Sequence, residues 1–95
     1  MIFTSDNGPT YLDQVDYEYF NSTGIFVNSR NTMKGSVREG GLRVPMIVSW
    51  PNIIEKNSSS DHISVFYDFF ETALDVANIK SPFATDGISF FPELK

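Results

Sequence analysis

Cysteine is absent from this 95-residue chain, histidine occurs once, and seven basic residues face twelve acidic ones. Lack of cysteine is compatible with oxidising and reducing compartments alike. The single histidine, His62, is the one side chain whose unperturbed titration falls near neutrality. It sits in Ser60-Asp61-His62, the lead-in to an amphipathic segment, and reads as a structural or surface residue. A formal charge of −5 argues against a nucleic-acid or anionic-membrane surface, because those partners reward clustered Lys and Arg. Long apolar runs are also missing. Met1 to Phe3 is too short for a secretory signal, and no segment is long enough to span a bilayer.

Aromatic residues, in contrast, are plentiful: nine phenylalanines, four tyrosines and one tryptophan. A chain of this length buries only roughly 60–70% of its unfolded surface. So many rings call for a large apolar partner surface, which a bigger α/β domain supplies more easily than a small independent one.

The chemistry-bearing residues fall in two segments. Ser5-Asp6-Asn7-Gly8 follows the apolar run Met1 to Phe3, so a carboxylate and a carboxamide stand side by side where a strand ends, a donor pair suited to a hard cation. Their plainer role would be a strand-end turn, with the side chains capping local backbone groups. The second segment, Lys34-Gly35-Ser36-Val37-Arg38-Glu39-Gly40-Gly41-Leu42-Arg43-Val44-Pro45, offers an ammonium among glycines that permit close backbone approach to a ligand. Arg30, Lys34, Arg38 and Arg43 form a local basic exception in an acidic chain, as a small anionic substrate would require. Taken singly, each arginine reads as solvated or ion-paired.

Phe3-Thr4-Ser5-Asp6-Asn7-Gly8-Pro9 and the Lys34 to Pro45 run, in this order and spacing, resemble the C-terminal part of a sulfatase catalytic domain. Met46 to Pro51, Ser60 to Ser64 and Asp86 to Phe90 continue the likeness along essentially the whole chain. The resemblance implies an α/β fold, here a part (residues 1–95) of an alkaline-phosphatase-like sulfatase domain, and hydrolysis of sulfate esters. It implies that Asp6 and Asn7 ligate one divalent cation, usually calcium, that Lys34 contacts the sulfate as a catalytic and substrate-binding residue, and that Glu39, Gly40 and Gly41 shape the site. Family chemistry also uses a formylglycine made from Cys or Ser in a Cys/Ser-x-Pro-x-Arg motif, which is not found here. Calcium takes about six to eight oxygen ligands, more than Asp6 and Asn7 supply. The chain is therefore expected to be a piece of a larger enzyme, inactive alone, with the remainder of the catalytic domain as partner. A phosphatase or phosphodiesterase of the same superfamily and a non-catalytic remnant or binding module are the alternatives. The implied substrate is a small aryl or sugar sulfate, and the implied location is periplasmic, extracellular or lysosomal. Asn21-Ser22-Thr23 and Asn57-Ser58-Ser59 fit the N-glycosylation pattern, which has meaning only in a eukaryotic secretory protein.

Along the chain the reading is strand, long loop, strand, amphipathic helix, tail. Residues 8–38 lack a sustained period and form the loop, with a short helix or turn over Leu12 to Phe20 whose Tyr11, Tyr17, Tyr19 and Phe20 cover the site. Leu42 to Trp50 is the best strand, with burial on both faces expected from its apolar run and Pro45 at its start. Ile63, Phe66, Tyr67, Phe70, Ala73, Leu74 and Ala77 make a helical stripe for packing on a sheet. Asp68 with Glu71 reads as a capping box, Asn78 as a left-handed stop. Asp86 is a turn carboxylate.

Overall fold

In a computed structural model, residues 1–12, 14–26 and 29–95 are described. The chain folds as two units, Met1–Ser49 and Trp50–Lys95.

In the first unit, β1 (Ile2–Thr4) pairs antiparallel with β2 (Met46–Val48), placing Phe3 opposite Ile47. Met1 and Ser49 extend the ladder by two reciprocal bonds, each 2.8 Å. The second strand is shorter than its apolar run predicts. Residues Glu39–Leu42 coil into the helical turn α2, closed by Leu42 N–H to Arg38 and Arg43 N–H to Glu39, and Pro45, which has no N–H for the ladder, stands just before β2. The expected burial is also absent: Phe3 and Ile47 are 60% and 57% exposed. A two-stranded ribbon cannot cover its own faces, and no other element of the unit packs on it among the described residues.

Between the strands, most of the long stretch is irregular, as predicted. It holds a short helix, α1 (Tyr17–Phe20), narrower than the Leu12 to Phe20 reading; Asp13 lies outside the described residues. Asp16 accepts the Tyr19 amide at 2.9 Å and Asn21 closes the turn at φ 44°. A 3₁₀ turn, Arg30–Thr32, follows and leads into Met33, the one fully buried large side chain among the described residues.

The second unit is built on α3 (Asp68–Val76). The lead-in through Tyr67 is not helical, and the predicted capping box does not form. Asp68 accepts instead from the Val65 and Ile88 amides, both 2.9 Å, while Glu71 accepts from the Thr85 hydroxyl at 2.5 Å. Local capping gives way to ties with a distant segment. The stop is as predicted: Asn78 adopts φ 54°, its amide bonds Asp75, and the Ile79 amide bonds Leu74, the Schellman arrangement. What α3 buries is its polar side. Asp68 and Thr72 are buried, and the Thr72 hydroxyl donates to the Asp68 carbonyl and accepts from the buried Phe90 amide. The predicted apolar stripe is largely exposed, including Phe66 and Phe70, with Leu74 half-buried, although Phe70 stacks on Phe83 at 5.8 Å; Phe69 beside it is exposed too.

Candidate anion and cation site

The two segments singled out in the sequence meet in the first unit. Gly8 N–H donates to the Gly41 carbonyl at 2.9 Å, and Lys34 N–H donates to the Pro9 carbonyl at 2.9 Å. These bonds tie the turn after β1 to both ends of the glycine-rich segment. The approach is close enough that only glycine fits at the crossing: a methyl group on Gly8 would overlap the Gly40 carbonyl oxygen and lie 2.9 Å from the Gly41 Cα, and one on Gly41 would lie 2.6 Å from the Met33 carbonyl oxygen. Thus Gly40 and Gly41 meet the turn through backbone, both of them buried.

Around this crossing opens a cavity of about 450 Å³, lined by Ser5, Asn7, Thr10, Ser22, Lys34 and Arg43 among others. It is within the roughly 300–1,000 Å³ range of small-molecule sites. Asn7 Nδ2 donates to the Gly8 carbonyl at 3.0 Å, which sets the plane of the carboxamide, and Ser5 Oγ donates to the Asn7 carbonyl at 2.9 Å. Asp6 points an exposed carboxylate from the same turn and accepts no hydrogen bond among the described residues. Its donor chemistry and that of Asn7 are hard oxygen, matched to a group-2 dication. Two such ligands are an incomplete shell, and no group of three or more His, Asp or Glu among the described residues could hold a metal. Any further ligands lie outside this set.

Lys34 is exposed and forms no ion pair among the described residues. Arg43 differs. Its Nε donates to Glu39 Oε2 at 2.8 Å, and its guanidinium carbon lies 5.0 Å from the centre of the Phe26 ring. The sequence reading of Arg43 as ion-paired is met, yet it also lines the cavity, which spacing could not disclose. Ser22 was equally illegible: no pattern in the sequence ties it to a site. The rings expected to cover the site do not line the cavity; Tyr19 and Phe20 instead meet edge to face at 5.2 Å on an exposed turn.

In the second unit, His62 is exposed, with Nδ1 4.0 Å from Glu93 Oε1, and Ser60 Oγ donates to Glu93 Oε2 at 3.2 Å. This agrees with a surface role. Asp68 has its pKa lowered below the ordinary carboxylate value, first by the Ile88 and Val65 amide hydrogen bonds and last by the nearby His62 charge. It is a structural carboxylate.

Residues 28–95 match the family model described as N-sulphoglucosamine sulphohydrolase, C-terminal. An ulvan-active sulfatase of Formosa agariphila is 31% identical over 81% of the chain and 16% of its own length. The N-acetylgalactosamine-6-sulfatase of Homo sapiens is 31% identical over 99% of the chain and 17% of its own length, and an N-acetylglucosamine-6-O-sulfatase of Bacteroides thetaiotaomicron is 32% identical over 88% and 15%. The chain belongs to the sulfatase family. It spans about a sixth of the length of the relatives it matches. Among the described residues no helix is long and apolar enough to cross a membrane.

Proposed function

We propose that this chain is part of a sulfuric ester hydrolase of alkaline-phosphatase-like α/β architecture, acting on a sulfated saccharide or related sulfate ester in an exported compartment. Asp6 and Asn7 are assigned to a calcium ion and Lys34 to the sulfate. The observation that supports this most directly is the pair of backbone bonds, Gly8 to Gly41 and Lys34 to Pro9, which joins the oxygen-ligand turn to the ammonium-bearing segment beside one cavity.

Each residue has a defined task. Asp6 supplies a charged oxygen and Asn7 a neutral one whose amide plane is set by its own backbone bond. When bound, the dication polarises an oxygen of the ester. The Lys34 ammonium stabilises the charge that grows on the equatorial sulfate oxygens and the leaving oxygen as the S–O bond breaks. The nucleophile and remaining metal ligands come from outside these residues, as the absent Cys/Ser-x-Pro-x-Arg motif requires.

The test is turnover of an aryl sulfate and an aryl phosphate by the complete enzyme, with and without chelation of calcium. Lys34→Ala should lower kcat on the sulfate by about 10²–10³, the effect typical of losing one oriented charge-stabilising donor, while leaving the unfolding midpoint in place. Asp6→Ala should weaken calcium binding. Phosphate turnover without sulfate turnover overturns the assignment, and unaltered calcium affinity in Asp6→Ala removes that residue from the metal.

A further inference from the structure

Asn7-Gly8 is the only Asn-Gly pair in the sequence. Glycine has no Cβ, so its backbone nitrogen is the least hindered of any for attacking the side-chain amide of the residue before it. In that reaction the Gly8 nitrogen bonds to Asn7 Cγ and the Cγ–Nδ2 bond breaks. Nδ2 leaves as ammonia, taking the proton given up by the Gly8 N–H. Water then opens the succinimide ring at either carbonyl, which leaves an aspartyl or an isoaspartyl linkage at position 7. Asn7 and Gly8 both line the cavity, where water has access to the ring.

The fold restrains each participant. Gly8 is buried and its N–H donates to the Gly41 carbonyl at 2.9 Å, so the nitrogen neither loses its proton nor turns toward Cγ while that bond is closed. Asn7 Nδ2 donates to the Gly8 carbonyl at 3.0 Å, and Ser5 Oγ donates to the Asn7 carbonyl at 2.9 Å. Backbone of Gly40 and Gly41 stands so close that a methyl group on Gly8 does not fit, which leaves the peptide little room to rotate.

We propose that Asn7 is a deamidation site, closed while the turn after β1 rests on α2 and opened when that crossing separates. An isoaspartyl product adds a backbone carbon beside a residue with no space for a methyl group, so the converted turn no longer fits its seat. The inference is independent of the metal and sulfate assignments.

The experiment incubates the complete enzyme at mildly alkaline pH with calcium chelated, so that no bound ion adds protection. Peptide mapping that resolves asparagine, aspartate and isoaspartate follows position 7. The same enzyme unfolded in denaturant gives the unprotected rate, and hydrogen exchange of the Gly8 amide gives the fraction of time the crossing is open. The folded enzyme should convert about ten-fold or more slowly, at least the upper range for one net hydrogen bond, and this factor should agree with the Gly8 exchange protection within about three-fold. Gly41→Ala, whose methyl would lie 2.6 Å from the Met33 carbonyl oxygen, should lower both factors together. Should that variant not fold, the two wild-type measurements decide alone. Equal rates in folded and unfolded enzyme, conversion unrelated to Gly8 exchange, or no conversion in the unfolded chain overturns the proposal.

Discussion

Gly8→Ala isolates the contact on which the site geometry rests. The added Cβ would overlap the Gly40 carbonyl oxygen and lie 2.9 Å from the Gly41 Cα and 3.0 Å from the Gly40 carbonyl carbon. All three atoms are backbone, so no rotamer change can relieve the overlap. Gly8 does not occupy the left-handed region, hence the perturbation is steric rather than conformational, and alanine even stiffens the unfolded chain by about 0.4–1 kcal/mol in favour of folding. Against that stand overpacking, about 1–3 kcal/mol, and loosening of the Gly8 to Gly41 bond, about 0.5–1.5 kcal/mol. The balance is a loss of about 0.5–4 kcal/mol.

The more informative readout is activity. Separating the turn from α2 moves Asn7 away from Lys34 without altering either side chain, so calcium affinity and kcat/KM of the complete enzyme should both fall, by more than the stability loss explains at a temperature where the variant is fully folded. Gly24→Ala is the matched control. Its site is open, with no atom near the added Cβ, but it has φ +59°, so alanine costs about 1–2 kcal/mol of backbone strain without crowding the contact between Gly8 and Gly40–Gly41. A Gly8→Ala enzyme that matches Gly24→Ala in both stability and turnover would refute the idea that this crossing positions the ligands.

Substitutions at three further positions address the second unit. The Asp68 carboxylate has a folded pKa below its ordinary value of 3.8; its stabilising effect is complete above that value and fades as pH falls through the lower, folded one, so Asp68→Asn should flatten the acid limb of a stability-against-pH curve below about pH 4, and an unchanged limb counts against the Ile88 and Val65 bonds. Thr72→Val removes a hydroxyl that serves two backbone groups and leaves the buried Phe90 amide without its acceptor, a loss of about 1–3 kcal/mol in denaturant midpoint; Thr72→Ser should retain most of it. Asn78→Gly should stabilise α3 and Asn78→Ala destabilise it, by about 1 kcal/mol each way, since φ 54° suits glycine best; equal midpoints for the pair would contradict the left-handed cap.

How much of this was legible in the sequence follows the range of the interactions involved. The first strand and the Asn78 stop are set by neighbours in the chain and were read correctly, whereas Pro45, read among the first residues or on an edge of a strand over Leu42 to Trp50, stands just before the shorter β2. The Asp68-Glu71 capping box was also a local reading and failed, because both carboxylates were taken by residues fourteen to twenty positions away. The same reason hid Ser22, and although Arg43 was read within a basic cluster with Arg30, Lys34 and Arg38, nothing local showed that it and Lys34, rather than Arg30 or Arg38, line the cavity. The approach of the turn after β1 to the Lys34–Pro45 segment was inferred from family order, and its physical cause became visible only when Gly8 was found against Gly40 and Gly41.

The misjudged burial carries the most weight. Apolar patterning located strands at β1 and β2 and a helix at α3 but not what they bury here: Phe3, Ile47, Phe66 and Phe69 are exposed while α3 buries Asp68 and Thr72. Exposed apolar surface this extensive is unusual for a monomeric soluble protein, and local hydrogen bonding cannot explain why evolution would place rings there. The relatives extend about six times further than the aligned stretch. Rings that find no cover among these residues are those expected to pack on the additional chain of a larger domain, and the proposed calcium assignment meets the same shortfall in ligands. If Asp6 and Asn7 bind calcium as proposed, the uncovered rings and the incomplete ligand set carry one expectation: in an enzyme as long as the relatives, further chain would cover the rings and complete the ligand shell. If the complete enzyme left Phe3 and Phe66 as open to hydrogen–deuterium exchange of their amides and to side-chain labelling as isolated surface residues, that link between burial and ligation would be lost.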